Sequence, residues 1–200
     1  SQLNYLKSLE FSGNYLLNFI NDILEINRLE SDKVVIEKIN FNISELTENI
    51  VTSFKEFIHE NNIKCHLHID KSIDFNLKGD PTKLSQILIN LLNNAIKFSK
   101  NGDVWCTIKK REETAENVTL YFEIKDNGIG IPKDKQDAIF DSFSQGSVEI
   151  NRIYGGTGLG LSIVKKILEL MGSQIQLSSE SGKGSTFSFE LQFEKGIANK

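Results

Sequence analysis

Two cysteines in 200 residues are too few for a disulfide framework, and Cys65 and Cys106 lie too far apart in sequence for a metal cluster. Both occupy inward positions of alternating stretches, which reads them as small buried hydrophobes in a reducing compartment. Long apolar runs are also missing: nothing approaches the roughly 18–20 residues that span a bilayer, and no signal peptide is visible. Positive charge is short as well. A net charge of −4 withholds the basic footprint of a nucleic-acid binder. The one methionine is Met171 and the chain opens on Ser1, so a fragment or processed product is expected.

What is present is an ordinary globular composition, 39% hydrophobic and 25% charged. The length allows one well-packed domain with something attached, or two small ones. Leu6, Leu9, Gly13, Leu16, Ile20 and Ile23 recur at alternating threes and fours, a heptad seam that Leu17 and Leu24 widen. Such a helix needs partner helices to bury its stripe. "FNISELTENIVTSFKEFIHENN" reads as one helix, capped by Asn42 or Ser44 with Glu45 placed for a capping box. "IKCHLHI" alternates as a half-buried strand, His66 and His68 on its polar face.

A second helix opens at Asp80-Pro81, an N-cap followed by proline at the first helical position, and runs to about Phe98. "DVWCTIKK", "VTLYFEIK", "SQIQLSSE" and "STFSFELQF" follow as strands, with another helix after Gly158. One apolar and one polar face per strand predict a mostly antiparallel sheet with helices on a single side. The expected fold is α+β: a two-layer α/β sandwich over residues 33–200, preceded by a long amphipathic helix over 1–32.

Three features carry chemistry. In "SQILINLLNNAIKFSKNG" the helical period gathers Gln86, Asn90, Asn93, Asn94 and Lys97 on one face of a leucine-rich helix. Asparagine is a poor helix former, so the stripe makes better sense facing a polar ligand; an amide oxygen can serve Mg²⁺ and a lysine a phosphate. "DNGIGIP" ends a strand on Asp126, an acceptor-only carboxylate that suits the exocyclic amine of adenine and repels the carbonyl of guanine. "YGGTGLGL" crowds glycines against a helix start, whose unpaired N–H groups attract anions. It lacks the Lys-Ser/Thr of a P-loop and the spacing of the dinucleotide fingerprint.

In this order the segments resemble the catalytic and ATP-binding domain of sensor histidine kinases, with its Bergerat-type fold. "QILINLLNNAIKFS" resembles the N box, "DNGIGI" and "YGGTGLGL" the two glycine boxes, "FDSFSQ" the F box and "GKGSTFSFEL" the last glycine motif, over Phe41–Glu194. The resemblance implies ATP and Mg²⁺ as ligands. Asn94 would hold the metal, with Asn90 beside it, Lys97 on the phosphates and Phe98 near the nucleotide. Asp126 would take the adenine amine, helped by Gly128, Gly130, Ile131 and, through water, Thr186. Residues 144–157 would form a lid including Arg152 and Tyr154, its base anchored by Phe140 and Phe143. Gly156, Thr157, Gly158, Leu159 and Gly160 would present the phosphate-binding backbone.

Hydrolases of the same fold place a Glu one turn before the metal-binding asparagine. Here that position is Asn90, which cannot abstract a proton. Phosphoryl transfer to a histidine is therefore expected over an ATP-driven clamp or an inert scaffold. The N-terminal helix resembles the second helix of the dimerisation and phosphotransfer hairpin. The first, bearing the acceptor histidine, is not in this sequence, and His59-Glu60 lacks the proline that follows such acceptors. The implied partners are ADP and ATP, a response regulator receiver domain and a second copy in the full-length protein. The implied setting is cytoplasmic, with a membrane anchor elsewhere in the protein left open.

Overall fold

The computed structural model describes residues 2–30, 34–141 and 157–196. The elements run α1 (Gln2–Glu30), β1 (Ile39–Phe41), α2 (Ile43–Ser53), α3 (Lys55–Glu60), β2 (Lys64–Ile69), β3 (Leu77–Gly79) and α4 (Pro81–Phe98). They continue with β4 (Asp103–Glu113), β5 (Asn117–Asp126), α5 (Gly160–Leu170), β6 (Gln176–Glu180) and β7 (Gly184–Lys195). The sheet is ordered β1-β3-β7-β5-β4-β2, and β6 shares one edge of β7 with β3. All the pairings are antiparallel except β2 with β4. This is the α+β sandwich expected from the alternating strands.

Period two decides what enters the core. On β5, Val118, Leu120, Phe122 and Ile124 all point inward and are buried. Opposite them Phe187, Phe189, Leu191 and Phe193 do the same from β7, and Phe122 stacks on Phe189 at 4.8 Å between centroids. Val104, Cys106 and Ile108 complete the inner face from β4. Helix α4 lays Leu84, Ile87, Leu88, Leu91, Leu92, Ala95 and Ile96 into this core, the apolar set its sequence period marks out. Burial pushes the Cys106 thiol up to about 12, so it behaves as a small hydrophobe.

One expectation needs correction, and two features go beyond the sequence reading. The single helix expected after Phe41 is two, α2 and α3, interrupted at Phe54. The Ser53 hydroxyl donates to the Ile50 carbonyl at 2.6 Å, taking up an acceptor at the helix end, and α3 buries no side chain that could hold the two in line. Strands β1 and β3 are three residues each, too short to show a period. Helix α1 docks beyond its seam: Ile26 and Leu29 are buried, while Leu9, Leu16, Leu17, Ile20 and Leu24 remain exposed. Among the described residues no helix is long and apolar enough to cross a membrane.

Asp80 fixes the entry to α4. Its Oδ1 accepts the Lys83 N–H at 2.9 Å as an N-cap, and its Oδ2 accepts the Glu37 N–H at 3.0 Å. Nearly buried, it ties the segment after α1 to the helix that walls the site. Replacing Asp80 by Ala removes both bonds, and urea denaturation should show a loss of about 2–3 kcal/mol, the cap plus one orphaned donor. Asp80→Asn should retain about half of that stability, because one amide oxygen still caps the helix.

Candidate nucleotide site

The inward series of β5 does not stop at Ile124. The next inward position is Asp126, 5% exposed, so the register that builds the core also carries a carboxylate to its rim. The Gly128 N–H donates to its Oδ1 at 2.8 Å, and the Ser185 main chain lies near enough to favour its charged form. Burial raises its carboxyl above the ordinary 3.8, against the pull of these groups. The turn after it is clamped on two sides. A Cβ on Gly128 would collide with the Phe98 carbonyl at the end of α4. Gly130, at φ +64°, backs onto the Glu180 carbonyl, and the Ile131 N–H donates to Ser179 Oγ at 2.8 Å.

The polar stripe of α4 forms the adjoining wall. Asn90 Nδ2 donates to the Gln86 carbonyl at 3.1 Å, while its Oδ1 lies 2.9 Å from where a Cβ on Gly160 would stand. Gly160 therefore lets the start of α5 abut a carboxamide. Asn94 follows one turn on, half-buried, and then Lys97, whose Nζ lies 4.8 Å from the Phe98 ring centroid. Burial lowers the Lys97 ammonium below its ordinary value. Helix α5 starts after Leu159 without a side-chain cap, the backbone at Gly158 having φ +72°. The Leu159 N–H donates to Thr157 Oγ1 at 3.3 Å, and the Thr157 hydroxyl donates to Asp22 of α1 at 2.7 Å.

Helix α4 thus touches both other parts: Phe98 meets the Asp126–Ile131 turn, and Asn90 meets Gly160. Arg152, Tyr154 and Gly156 lie outside the described residues, as do Phe143 and the lid up to 156. Phe140, at its base, packs edge-on against Phe187 at 6.4 Å. Thr186 pairs with Lys125 and Ser178 and alternates to the face opposite Ser185. Ser185 shares the inward face with Phe187, its hydroxyl 3.0 Å from Ser179 Oγ. The sequence reading missed Ser179, which receives the Ile131 N–H, and Ser185 beside it. Counting inward positions back from Phe187 would have picked out Ser185. His59, His66 and His68 are exposed; His66 pairs with Asp103 at 2.7 Å and stacks on Trp105.

An antiparallel-dominated sheet, helices on one face and a carboxamide wall beside a buried acid define the class, an ATPase-type α+β sandwich. The chain belongs to the histidine kinase-, DNA gyrase B- and HSP90-like ATPase family, which its residues 79–195 match. It is 37% identical over 97% of its length to the signal transduction histidine-protein kinase BarA of Escherichia coli, of which it spans 21%. Full-length ShkA in complex with AMPPNP shares the fold at TM-score 0.82 and 28% identity, over 98% of this chain and 40% of that one. Histidine kinase ThkA in complex with the response regulator protein TrrA does so at 0.67 and 28%, over 96% and 51%.

The clamped turn makes Gly128 a structural requirement before any ligand arrives. Gly128→Ala should lower stability in nucleotide-free protein by about 1–3 kcal/mol, read as a lower Tm. An unchanged Tm would mean that the turn can move off Phe98.

Proposed function

We propose that this chain is the catalytic, ATP-binding module of a sensor histidine kinase, which directs the γ-phosphate of Mg²⁺-ATP to a histidine supplied from outside this segment. The observation that carries the reading is Asp126, a nearly buried acid held by the Gly128 N–H at the rim of a carboxamide wall. Among the described residues no cation pairs with Asp126; a buried carboxylate of that kind is costly, and its retention here makes chemical sense if a ligand donor completes its shell. Adenine supplies such a donor through its exocyclic amine. AMPPNP in the ShkA structure supports the same ligand class.

The donor set suits the metal as well. Among the described residues no cluster of three or more His, Cys, Asp or Glu could hold an ion. Mg²⁺ accepts few protein ligands when phosphate oxygens and waters fill the rest, so one amide oxygen from Asn94 is enough. The bound ion would neutralise phosphate charge. Lys97 and the uncapped start of α5 would orient the phosphates, and Asn90 would line the wall. Asn90 supports transfer over hydrolysis, since its amide is engaged with the Gln86 carbonyl and takes no proton from water. The TrrA complex of ThkA supports a response regulator as the onward partner. The exposed seam of α1 supports its reading, over residues 1–32, as half of a dimerisation hairpin.

Calorimetry with ADP and Mg²⁺ tests the reading, and saturable binding is expected. Asp126→Asn should weaken it more than tenfold, a charged hydrogen bond lost, and GDP should bind far less tightly than ADP. A flat titration, or equal affinity for the two nucleotides, overturns the assignment. The acidic limit follows from the sign of the Asp126 shift. Binding needs the ionised carboxyl, whose value lies above 3.8 in the folded protein, so affinity should hold at neutral pH and fall earlier on acidification than an ordinary aspartate would allow.

A further inference from the structure

Two other helices of the sandwich are capped by the residue that precedes them. Asn42 Oδ1 accepts the Glu45 N–H at 3.0 Å at the start of α2, and Asp80 Oδ1 accepts the Lys83 N–H at 2.9 Å at the start of α4. Helix α5 has no side-chain cap of its own. A relay from a distant helix stands in its place. The Leu159 N–H donates to Thr157 Oγ1 at 3.3 Å, and the Thr157 hydroxyl donates to Asp22 Oδ2 of α1 at 2.7 Å. Asp22 lies on the face of α1 that packs against the domain, where Phe19 and Ile23 are partly buried and Ile26 is buried. Glu25 and Glu30 of the same helix each pair with a lysine, whereas among the described residues no cation pairs with Asp22. An unpaired acid at the border of an anion site asks for a reason.

We propose that Asp22 is a positioning residue that restrains phosphate binding: its carboxylate engages the Thr157 hydroxyl and, through it, the Leu159 N–H, two donors that the phosphate oxygens of a nucleotide would otherwise take. The inference rests on the nucleotide reading above and deepens it. A threonine hydroxyl carries one proton. With that proton on Asp22, Thr157 Oγ1 offers only lone pairs, and one of them receives the Leu159 N–H. Both donors are therefore spent inside the protein, and a phosphate gains them only by displacing the relay. Charge acts in the same direction. Asp22 and the phosphates are both drawn to the positive end of α5, so the acid competes with the ligand. The relay touches neither Asp126 nor the turn that follows it, so the restraint falls on the phosphates and leaves the base contacts alone.

The 200-residue chain is compared with Asp22→Ala, Asp22→Asn, Thr157→Val and the Asp22→Ala/Thr157→Val pair, by melting without nucleotide and by calorimetry with Mg²⁺-ADP. Asp22→Ala should bind ADP about three- to tenfold more tightly, the size of one net hydrogen bond, and melt close to the unmodified protein. Asp22→Asn keeps the volume and an acceptor without the charge, and should show a smaller gain of at least about twofold in the same direction. In the Thr157→Val background Asp22→Ala should bring no further gain, because its effect passes through the missing hydroxyl. Unchanged or weaker binding in both Asp22 variants overturns the inference and leaves the nucleotide reading intact. A gain that persists undiminished without the Thr157 hydroxyl overturns it too, in favour of charge acting alone. Where Asp22→Ala folds poorly or Thr157→Val binds too weakly to read, Asp22→Asn decides, and no gain there is fatal. Failure of the unmodified chain to bind ADP removes both readings.

Discussion

Helix α4 has to satisfy two environments along one rod, and the rest of the site depends on how it does so. Seven apolar side chains hold it in the core, leaving a stripe that the sheet cannot use. A solvated stripe could be written in Lys and Glu, which favour helix. Carboxamides reduce intrinsic helicity, and Asn90 recovers part of the loss by donating back to the Gln86 carbonyl. That bond leaves the amide oxygen facing Gly160, so one residue both mends its own helix and meets the start of α5. The wall is stiff because its other side is core.

The glycines follow from that stiffness. Four of them crowd the start of α5, and ligand access alone would account for their presence. The structure gives a second reason that acts without ligand. Gly160 is where two helices come into contact, and Gly128 is where the Asp126 turn is pressed against the end of α4. Close approach of backbone to backbone sets the pocket's dimensions, so the residues that admit a ligand are also those that fix the distance between its walls. A site built this way is preorganised by packing, which limits how much of the binding energy is lost to ordering.

These levels were legible in the sequence to different degrees, for physical reasons. Long periodic segments announced themselves: the apolar face of α4, its Asp80-Pro81 start and the alternation of β4, β5 and β7 all depend on local spacing that burial then enforces. Short elements did not, since β1 and β3 hold no full period and owe their existence to partners distant in sequence. The break at Phe54 turns on one serine hydroxyl and an unburied helix, neither of which alters the hydrophobic pattern. In the site, Asp126 stood out because an acid at the end of an apolar alternation is unusual. Ser179 did not, because serine is common everywhere and its meaning comes only from receiving the Ile131 N–H of the turn that follows Asp126.

Helix α1 brings a mechanical consequence. Its buried end holds both helices that wall the site: Glu25 pairs with Lys83 of α4 at 2.5 Å, and Glu30 with Lys166 of α5 at 2.9 Å. About one turn before Glu25, Asp22 receives the Thr157 hydroxyl, which in turn accepts the Leu159 N–H. The first pair is largely shielded from water, so it is less screened than a surface bridge. A rotation of α1 about its axis would carry Asp22, Glu25 and Glu30 together and so disturb both walls and the loop between them. Meanwhile Leu16, Ile20 and Leu24 turn their apolar surface away from the sandwich. The exposed seam therefore lies on the same helix that is tied to both walls of the site.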